Sequence, residues 1–230
     1  MRANRKQIDP AKIDAYRSTF NKHVHLLVWQ GYSRLNRQQL QSMHEPAITG
    51  SICEQIEHIL DDPNSPQWVD DYEIHDDPPV HAPSRQGRNR RRVDLKLASR
   101  RYRPRARFCF EAKCLNKTTG VADYLGPDGL GQFISGGYAA NDSHAGMLGY
   151  VQTDDCDVWR AKIAKQIDVN THRLANSGGW IHISIANEIS HCNRTIHLRT
   201  KTDCSLVLFH TLLNCQQTVE KCQSPKLSNL

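Results

Sequence analysis

The sequence predicts an α/β domain, with a central mixed β-sheet flanked by α-helices. Apolar and polar residues alternate in residues 93–97 and 107–113, which is the spacing of β-strands. Residues 44–60 instead place apolar side chains at helical spacing, namely Ile48, Ile52, Ile56 and Ile59. Strands and helices that follow one another in this way are typical of sheets covered by helices.

The chain has 230 residues, which is enough for one sizeable hydrophobic core. No linker clearly separates two domains. We therefore expect a single domain over residues 1–230, with residues 1–42 as a helical N-terminal extension packed on it.

The segment at residues 107–113 predicts a strand with two different faces. Successive side chains alternate across a strand, so Glu111 and Lys113 lie on one side with Arg107 and Cys109. The apolar side chains of Phe108, Phe110 and Ala112 point to the other side. We expect one polar face and one core face.

The same rule applied to residues 93–97 places Val93, Leu95 and Leu97 inward and leaves Asp94 and Lys96 on the opposite face. Residues 98–107 are rich in arginine and contain Pro104, which favours a hairpin between the two strands. The hairpin would place Asp94 near Glu111.

Two converging carboxylates are suited to a divalent metal. Mg²⁺ prefers oxygen ligands and often uses one or two carboxylates together with water and substrate oxygens. A metal ion at Asp94 and Glu111 would activate water and offset charge on a phosphoryl group. Lys113 would hold the attacking water or stabilise the transition state.

Two further polar residues are candidates for the same site. Glu45 falls on the stripe formed by Ile48, Ile52 and Ile56, whereas Glu54 falls opposite, so Glu45 is expected to point toward the sheet. An acid at this helix start also has a purely structural explanation, because it favours the positive end of the helix dipole. Gln132 lies in a short glycine-bearing helix that leads into an apolar strand at residues 145–151.

In this order, Glu45 on a helix, Asp94 and Glu111-Ala-Lys113 on strands, and Gln132 on a helix resemble the PD-(D/E)XK nuclease superfamily, which has the restriction-endonuclease-like fold. The resemblance covers about residues 45–151. The run from Tyr124-Leu-Gly through Gln132-Phe and Gly-Gly-Tyr138 to Ala145-Gly-Met-Leu-Gly-Tyr-Val151 is similar to a branch of bacterial anti-phage defence nucleases. Val93 stands where the motif name has proline, and proline is often absent there.

The resemblance implies a role for each residue. Asp94 and Glu111 are expected to bind Mg²⁺, with Mn²⁺ as an alternative, and Lys113 is the expected catalytic lysine. Glu45 would be the auxiliary helix acid and Gln132 a later polar contributor. A homodimer, or a separate helicase or ATPase subunit, is the further partner that such a fold often uses.

Arginines are concentrated before and within the predicted hairpin. Ten of the nineteen arginines lie in residues 85–107, although the formal net charge is only +6. Such a cluster predicts contact with a phosphate backbone, and the alternative is a solvated pair of loops. The residues expected to bind nucleic acid are Arg88, Arg90, Arg91, Arg92, Arg100, Arg101 and Arg103.

A shifted assignment remains open at this stage. Lys96 would then be the catalytic lysine, Asp94 would replace Glu111, and Asp76 or Asp77 would replace Asp94. Pro78 and Pro79 argue against it, because proline fits poorly in a paired strand.

Eight cysteines indicate neither a disulfide framework nor a zinc module, because no Cys-x-x-Cys pair and no signal peptide is found. A cytoplasmic location is expected. No apolar run reaches the roughly 18 residues that span a bilayer, so we expect no membrane association.

The sequence thus predicts a Mg²⁺-dependent endonuclease that hydrolyses DNA, in bacterial defence against phage or foreign DNA. Two alternatives stay open. One is a non-catalytic nucleic-acid-binding subunit of a defence complex, and the other is an RNA-directed nuclease.

Overall fold

A computed structural model describes residues 10–80, 90–101, 105–199 and 204–217. Within these ranges the chain forms six α-helices, a short 3-10 helix and seven β-strands. The α-helices are α1 (Pro10–Ser33), α2 (Arg37–Leu40), α3 (Glu45–Asp61), α4 (Val121–Tyr124), α5 (Leu130–Ile134) and α6 (Cys156–Val169), and the 3-10 helix is Gln67–Asp71. The strands are β1 (Tyr72–Asp76), β2 (Leu95–Ser99), β3 (Arg107–Leu115), β4 (His144–Val151), β5 (Ile181–His182), β6 (Cys192–Leu198) and β7 (Ser205–Asn214).

All seven strands form one mixed sheet in the order β1-β2-β3-β4-β7-β6-β5. Strand β4 runs parallel to both β3 and β7, while the other neighbours are antiparallel. The predicted α/β class, with a mixed sheet flanked by helices, is confirmed. The predicted hairpin is also present, since β2 and β3 are adjacent and antiparallel.

Helices cover both faces of the sheet and create two cores. The first core joins α1 and α3 to one face of the central strands, with Phe108, Phe110 and Tyr150 fully buried in it. The second core joins α4, α5 and α6 to the other face, around Met147 and Leu208. Helix α1 packs directly on α3, so the N-terminal helix contributes to the main core.

The two predicted faces of β3 are present, since Phe108, Phe110 and Ala112 lie in the first core and Cys109 lies in the second, but the polar face is not open to solvent. Only Arg107 is exposed in this strand, and Glu111 is buried with 4% of its surface accessible. The reason is the second helical layer, which also covers the side of the sheet that carries Glu111. A strand buried on both faces lacks the simple alternation expected of a half-exposed strand.

The prediction that Val93, Leu95 and Leu97 lie on one face of the sheet is wrong. Leu95 and Leu97 enter the first core, whereas Val93 enters the second. Strand β2 begins only at Leu95, and the amide of Val93 instead donates to the carbonyl oxygen of Pro78. The alternation rule fails because residues 93 and 94 precede the strand.

Candidate active site

The candidate site forms where β3 continues beyond its pairing with β2. In the described ladder Leu95 is the first β2 residue and pairs with Phe110, but β3 extends to Leu115. Side-chain carboxylates occupy the edge that β2 leaves open. The amide of Ala112 donates to Asp94 Oδ2 at 2.6 Å, and the amide of Cys114 donates to Glu45 Oε2 at 3.2 Å.

Lys113 connects the acids of this unpaired end of β3. Its ammonium donates to Glu111 Oε1 at 2.9 Å, to Glu45 Oε1 at 3.0 Å and to the carbonyl oxygen of Ala112 at 2.7 Å. An ammonium has three N–H donors, so all of them are in use. The structure therefore brings Glu45, Asp94, Glu111 and Lys113 together, as the sequence predicted.

Glu45 reaches this position because of how α3 begins. His44 is extended, Pro46 occupies the first turn, and the buried stripe of Ile48, Ile52 and Ile56 fixes the helix against the sheet. The side chain of Glu45 then points from the helix start to β3. Both of its oxygens accept hydrogen bonds there.

Burial and, to a smaller extent, the neighbouring Asp94 raise the pKa of Glu111 to about 8 against the opposing effect of Lys113. Burial also raises the pKa of Asp94, although the hydrogen bond from Ala112 and the charge of Lys113 oppose this. For Lys113, burial disfavours the charge, but Glu111 and Glu45 outweigh it and raise its pKa. The lysine therefore stays protonated, and the site holds more negative than positive charge when its acids are ionised.

Glu111 also has an unsatisfied oxygen. Its Oε2 atom is buried and accepts no hydrogen bond. A buried carboxylate oxygen without a partner is costly, and a proton or a cation would remove the cost. The raised pKa and this orphaned oxygen both indicate that Glu111 is suited to a positively charged ligand.

The described residues offer two carboxylates to a metal ion rather than three. Among them, no group of three or more His, Cys, Asp or Glu side chains is arranged to hold a metal. Both oxygens of Glu45 are already engaged, so Asp94 and Glu111 are the available pair. This donor set fits Mg²⁺, which retains several waters and often binds through one or two carboxylates.

Gln132 and Arg91 form a polar contact with each other. Gln132 lies on α5, its Oε1 accepts a hydrogen bond from the Arg91 guanidinium, and its Nε2 donates to Asp128 Oδ1 at 3.3 Å. Burial raises the pKa of Tyr138, and the charges of Glu111 and Asp94 raise it further. Gln132 thus contacts Arg91, and the structure shows no hydrogen bond from it to the carboxylate pair within the described residues.

The arginine cluster divides into separate groups. Arg88 and Arg103 lie outside the described residues, and Arg90 is exposed. Arg92 pairs with Asp77 at 2.6 Å. Arg100 and Arg105 pair with Glu73, and Arg101 pairs with Asp71, near the outer strand β1.

These pairs change the expected picture of a cluster surrounding the site. Arg100 is six positions after Asp94, beyond the opposite end of β2, and a strand rises about 3.3 Å per residue, so the two lie roughly 20 Å apart. Arg91 contacts Gln132, which is one of the predicted site residues. Arg92 lies before β2, and Arg100 and Arg101 lie after it.

The shifted assignment is not favoured by the contacts. Asp77 is held by Arg92, and Asp76 pairs with Leu95 inside the β1–β2 ladder. Lys96 lies opposite Cys109, whereas Lys113 has direct ion pairs with two acids. Lys113 is therefore the lysine with the geometry of the predicted role.

Among the described residues, the cysteines and histidines form no metal site. Six of the described cysteines are buried as free thiols, and Cys204 is exposed and free. His197 and His210 are each hydrogen-bonded to the hydroxyl of Thr195, and all three residues are buried. The zinc interpretation receives no support from the described residues.

No significant match is found when the chain is compared with models of protein families, with characterised proteins or with solved structures. The fold described above therefore stands on the structure of this chain alone. In the described residues, no helix has both the length and the apolar character needed to cross a membrane.

Tyr138 and Arg199 are the residues near this region that sequence analysis missed. Tyr138 follows Gly136 and Gly137, and a glycine pair before an aromatic residue signals a tight approach of the backbone to a neighbour. An added Cβ at Gly137 would overlap the guanidinium of Arg91. Arg199 leaves no sequence signal, because its partners are backbone carbonyls far away in the chain.

Proposed function

We propose that this protein is a metal-dependent phosphodiesterase that hydrolyses DNA at the Asp94–Glu111 pair. The observation that carries the proposal is the junction of Glu111, Lys113 and Glu45 beside Asp94, with one buried oxygen of Glu111 lacking a partner. A bound Mg²⁺ or Mn²⁺ would supply Lewis-acid chemistry and lower the pKa of water. Asp94 and Glu111 are the residues that would hold it.

Lys113 acts in this proposal as a fixed positive charge. Its raised pKa keeps the ammonium protonated, so it does not serve as a general base. Positive charge fixed beside a phosphate stabilises the charge that develops during transfer. All three of its donors are used in the substrate-free arrangement, so contact with a phosphate would replace one of these bonds.

Glu45 orients Lys113 and is not a primary metal ligand in this proposal. One of its oxygens holds the ammonium and the other holds the backbone of Cys114. The helix acid therefore fixes both the lysine and the strand that carries it. Its effect on the reaction is expected through Lys113.

The arginines support a polynucleotide substrate. Arg91 contacts Gln132 and is three positions before Asp94 in the chain, and Arg100 and Arg101 lie roughly 20 Å beyond Asp94 at the rise of a strand. Double-stranded DNA rises 3.4 Å per base pair, so this distance corresponds to about six base pairs. A duplex that reaches Arg100 and Arg101 would exchange their surface ion pairs with Glu73 and Asp71 for phosphate contacts, at little cost because exposed pairs are weak.

The resemblance to the PD-(D/E)XK superfamily adds the biological context. The chain places α3, β2, β3, α5 and β4 in the order on which that resemblance depends. Defence against phage or foreign DNA, as a homodimer or with a separate helicase or ATPase subunit, is the role we propose from it.

The decisive experiment is a cleavage assay on supercoiled, linear and single-stranded DNA and on RNA, with Mg²⁺, Mn²⁺ or EDTA. The wild-type protein is expected to cut DNA only with a metal, and Glu111→Gln and Lys113→Met are expected to abolish cutting. Glu54→Gln, on the exposed side of α3, and Lys165→Met, on the exposed side of α6, are matched controls that should cut normally.

Three results would redirect the assignment. Cleavage of RNA in preference to DNA would favour the RNA-directed nuclease. DNA binding without cleavage by the wild-type protein would favour a non-catalytic binding subunit. Full cleavage by Glu111→Gln would remove this site from the reaction.

A further inference from the structure

Strand β1 lies at one end of the sheet order and has a neighbour on one side only among the described strands. Backbone groups of alternate residues point to opposite sides of an antiparallel strand. The amide of Asp77 donates to the carbonyl oxygen of Asp94 at 3.0 Å, so residues 73, 75 and 77 direct their backbone groups to β2. Residues 72, 74 and 76 therefore direct theirs to the open side.

The open side of β1 has backbone donors and acceptors without partners. The amide of Tyr72 donates to the carbonyl oxygen of Val69, in the preceding 3-10 helix. The amides and carbonyl oxygens of Ile74 and Asp76 make no hydrogen bond on this side within the part of the chain that the structure describes. An edge of this kind accepts a further strand, which satisfies the free row of backbone groups.

A groove of about 480 Å³ follows this edge and is lined by residues of β1, the 3-10 helix and the end of α3. Its apolar lining includes Leu60 and Ile74. Three exposed acids also line it, namely Glu57, Asp61 and Asp70. None of the three has an ion pair with another described residue.

The basic residues of the groove do not balance these acids. Arg100 and His75 are in the lining, and both contact Glu73, at 3.5 Å and 3.7 Å. Arg105 contacts the same carboxylate at 3.1 Å. Because these basic side chains share one acid, the other three carboxylates give the groove a charge complementary to that of a basic ligand.

Two of the acids lie where α3 alone does not favour them. Glu57 and Asp61 are four residues apart near the C-terminal end of this helix. Like charges at this spacing repel each other, and the negative end of the helix dipole disfavours carboxylates. Both side chains are exposed, so they do not serve the first core either. Their placement indicates a role in the groove.

We propose that the open edge of β1 binds an extended basic segment of a partner protein, which adds to the sheet as a further strand. Main-chain hydrogen bonds to Ile74 and Asp76 would hold the segment. Lysine or arginine side chains would lay their aliphatic stems on Leu60 and direct their charges to Glu57 and Asp61. A second copy of this chain fits less well, because it would bring the same acids to the groove. The proposal does not depend on the proposed function.

Amide hydrogen exchange measured by NMR tests the added strand. The probe is a capped peptide of alternating lysine and valine, about six residues long like an ordinary strand. With the peptide, the amides of Ile74 and Asp76 should exchange at least tenfold more slowly. The amides of Glu73 and His75 should change little, because they already face β2. Unchanged exchange at Ile74 and Asp76 with about 1 mM peptide would overturn the proposal.

Charge reversal tests the chemistry of the ligand. Asp61→Lys should weaken binding of the lysine–valine peptide at least fivefold, and a glutamate–valine peptide should not bind the wild-type protein. The variant should fold at least as stably as wild type, because a positive charge suits the end of α3. Asp168→Lys is the matched control, since Asp168 is exposed near the end of α6, and it should stay within twofold. Equal weakening by both variants would rule out the groove as the binding site.

Exchange in the peptide-free protein identifies the other occupants. Protection of Ile74 and Asp76 that grows with protein concentration would assign the edge to a second copy. Protection that is independent of concentration would assign it to another part of this chain. Either result would overturn the proposed partner. Finally, methylation of alternate backbone nitrogens in the peptide should abolish binding, and a methylated peptide that binds as tightly as its parent would disprove the added strand.

Discussion

The carboxylate of Asp94 serves the backbone and the candidate metal site together. Residue 93 would face Ala112 if the β2–β3 register continued, but the chain bends away and Asp94 Oδ2 accepts the Ala112 amide instead. The hydrogen bond fixes the side chain beside Glu111. Structure and proposed chemistry therefore depend on different properties of one residue, namely an acceptor oxygen and a negative charge.

Asp94→Asn and Asp94→Ala should separate these properties. Asparagine keeps an acceptor for the Ala112 amide, so its free energy of unfolding should stay close to that of wild type, whereas alanine should cost about 1–3 kcal/mol. Both variants should reduce metal-dependent cleavage about a hundredfold or more. Chemical denaturation and plasmid cleavage measure the two effects, and Asp168→Asn on the exposed side of α6 is the control.

Glu111→Gln should make the metal-free protein more stable at alkaline pH. The pKa of Glu111 is about 8 in the folded chain against an ordinary value of 4.5, so the folded state binds the proton more tightly. Wild-type stability should therefore decline as pH rises from about 4.5 to about 8. Glutamine removes this decline, and we expect the free energy of unfolding of the variant to exceed that of wild type by on the order of 1–4 kcal/mol near pH 8.

Urea denaturation between pH 5 and pH 9 in EDTA measures this difference. Glu54→Gln should follow the wild-type curve, since Glu54 lies on the exposed side of α3. Parallel curves for wild type and Glu111→Gln would show that Glu111 has an ordinary pKa. In that case the electrostatic argument for a cation at this position fails.

At the scale of elements, the contact between α1 and α3 determines how the first core is closed. The two helices cross at Gly31, where an added Cβ would lie 2.8 Å from the carbonyl oxygen of Ile52 and 2.8 Å from Ile56 Cγ1. Glycine is required there because the backbones approach closely. This packing also fixes the start of α3, where Glu45 lies.

Gly31→Ala and Gly50→Ala should have opposite effects on stability. The first pushes α1 away from α3 and should cost about 1–3 kcal/mol. The second changes a glycine in α3 whose added Cβ would meet only Asp76 Oδ2, at 3.8 Å. The higher helix propensity of alanine should therefore raise the free energy of unfolding by up to about 1 kcal/mol. Thermal unfolding measures both, and an equal effect at the two positions would contradict the close contact at Gly31.

The whole molecule contains several histidines that are buried without charge. Burial lowers the pKa of His25 to about 4, where the ring lies between Phe108, Phe110 and Phe209. Burial also lowers the pKa of His210 well below its ordinary value, with a contribution from His197. His25 Nδ1 is hydrogen-bonded to the carbonyl oxygen of Asn21, and the two ring nitrogens of His210 are hydrogen-bonded to the hydroxyls of Tyr124 and Thr195.

These histidines should make the protein unstable in acid. A base whose pKa is lower in the folded state binds its proton more readily when unfolded, so stability falls as pH drops from about 6.5 toward 4. Each such group contributes a slope of up to about 1.4 kcal/mol per pH unit. Denaturation between pH 4 and pH 7 should show this slope, and His210→Gln should reduce it; a flat curve would contradict the buried neutral rings.

Local periodicity predicted the elements that carry the site but not the layers around them. The helical stripe of α3 correctly directed Glu45 to the sheet, and the hairpin brought Asp94 to Glu111. The burial of Glu111 was missed, because α4–α6 cover it from distant parts of the sequence. The hydrogen bonds of Arg199 to backbone carbonyl oxygens were missed for the same reason, since backbone acceptors leave no pattern in side-chain chemistry.

The open edge of β3 has a consequence for how the protein can change over time. Where β3 extends beyond β2, its main-chain amides donate to side-chain carboxylates. A single amino-acid substitution can change such a side chain. The number and charge of the carboxylates at this end of β3 can therefore change by substitution while the strand order of the sheet stays the same.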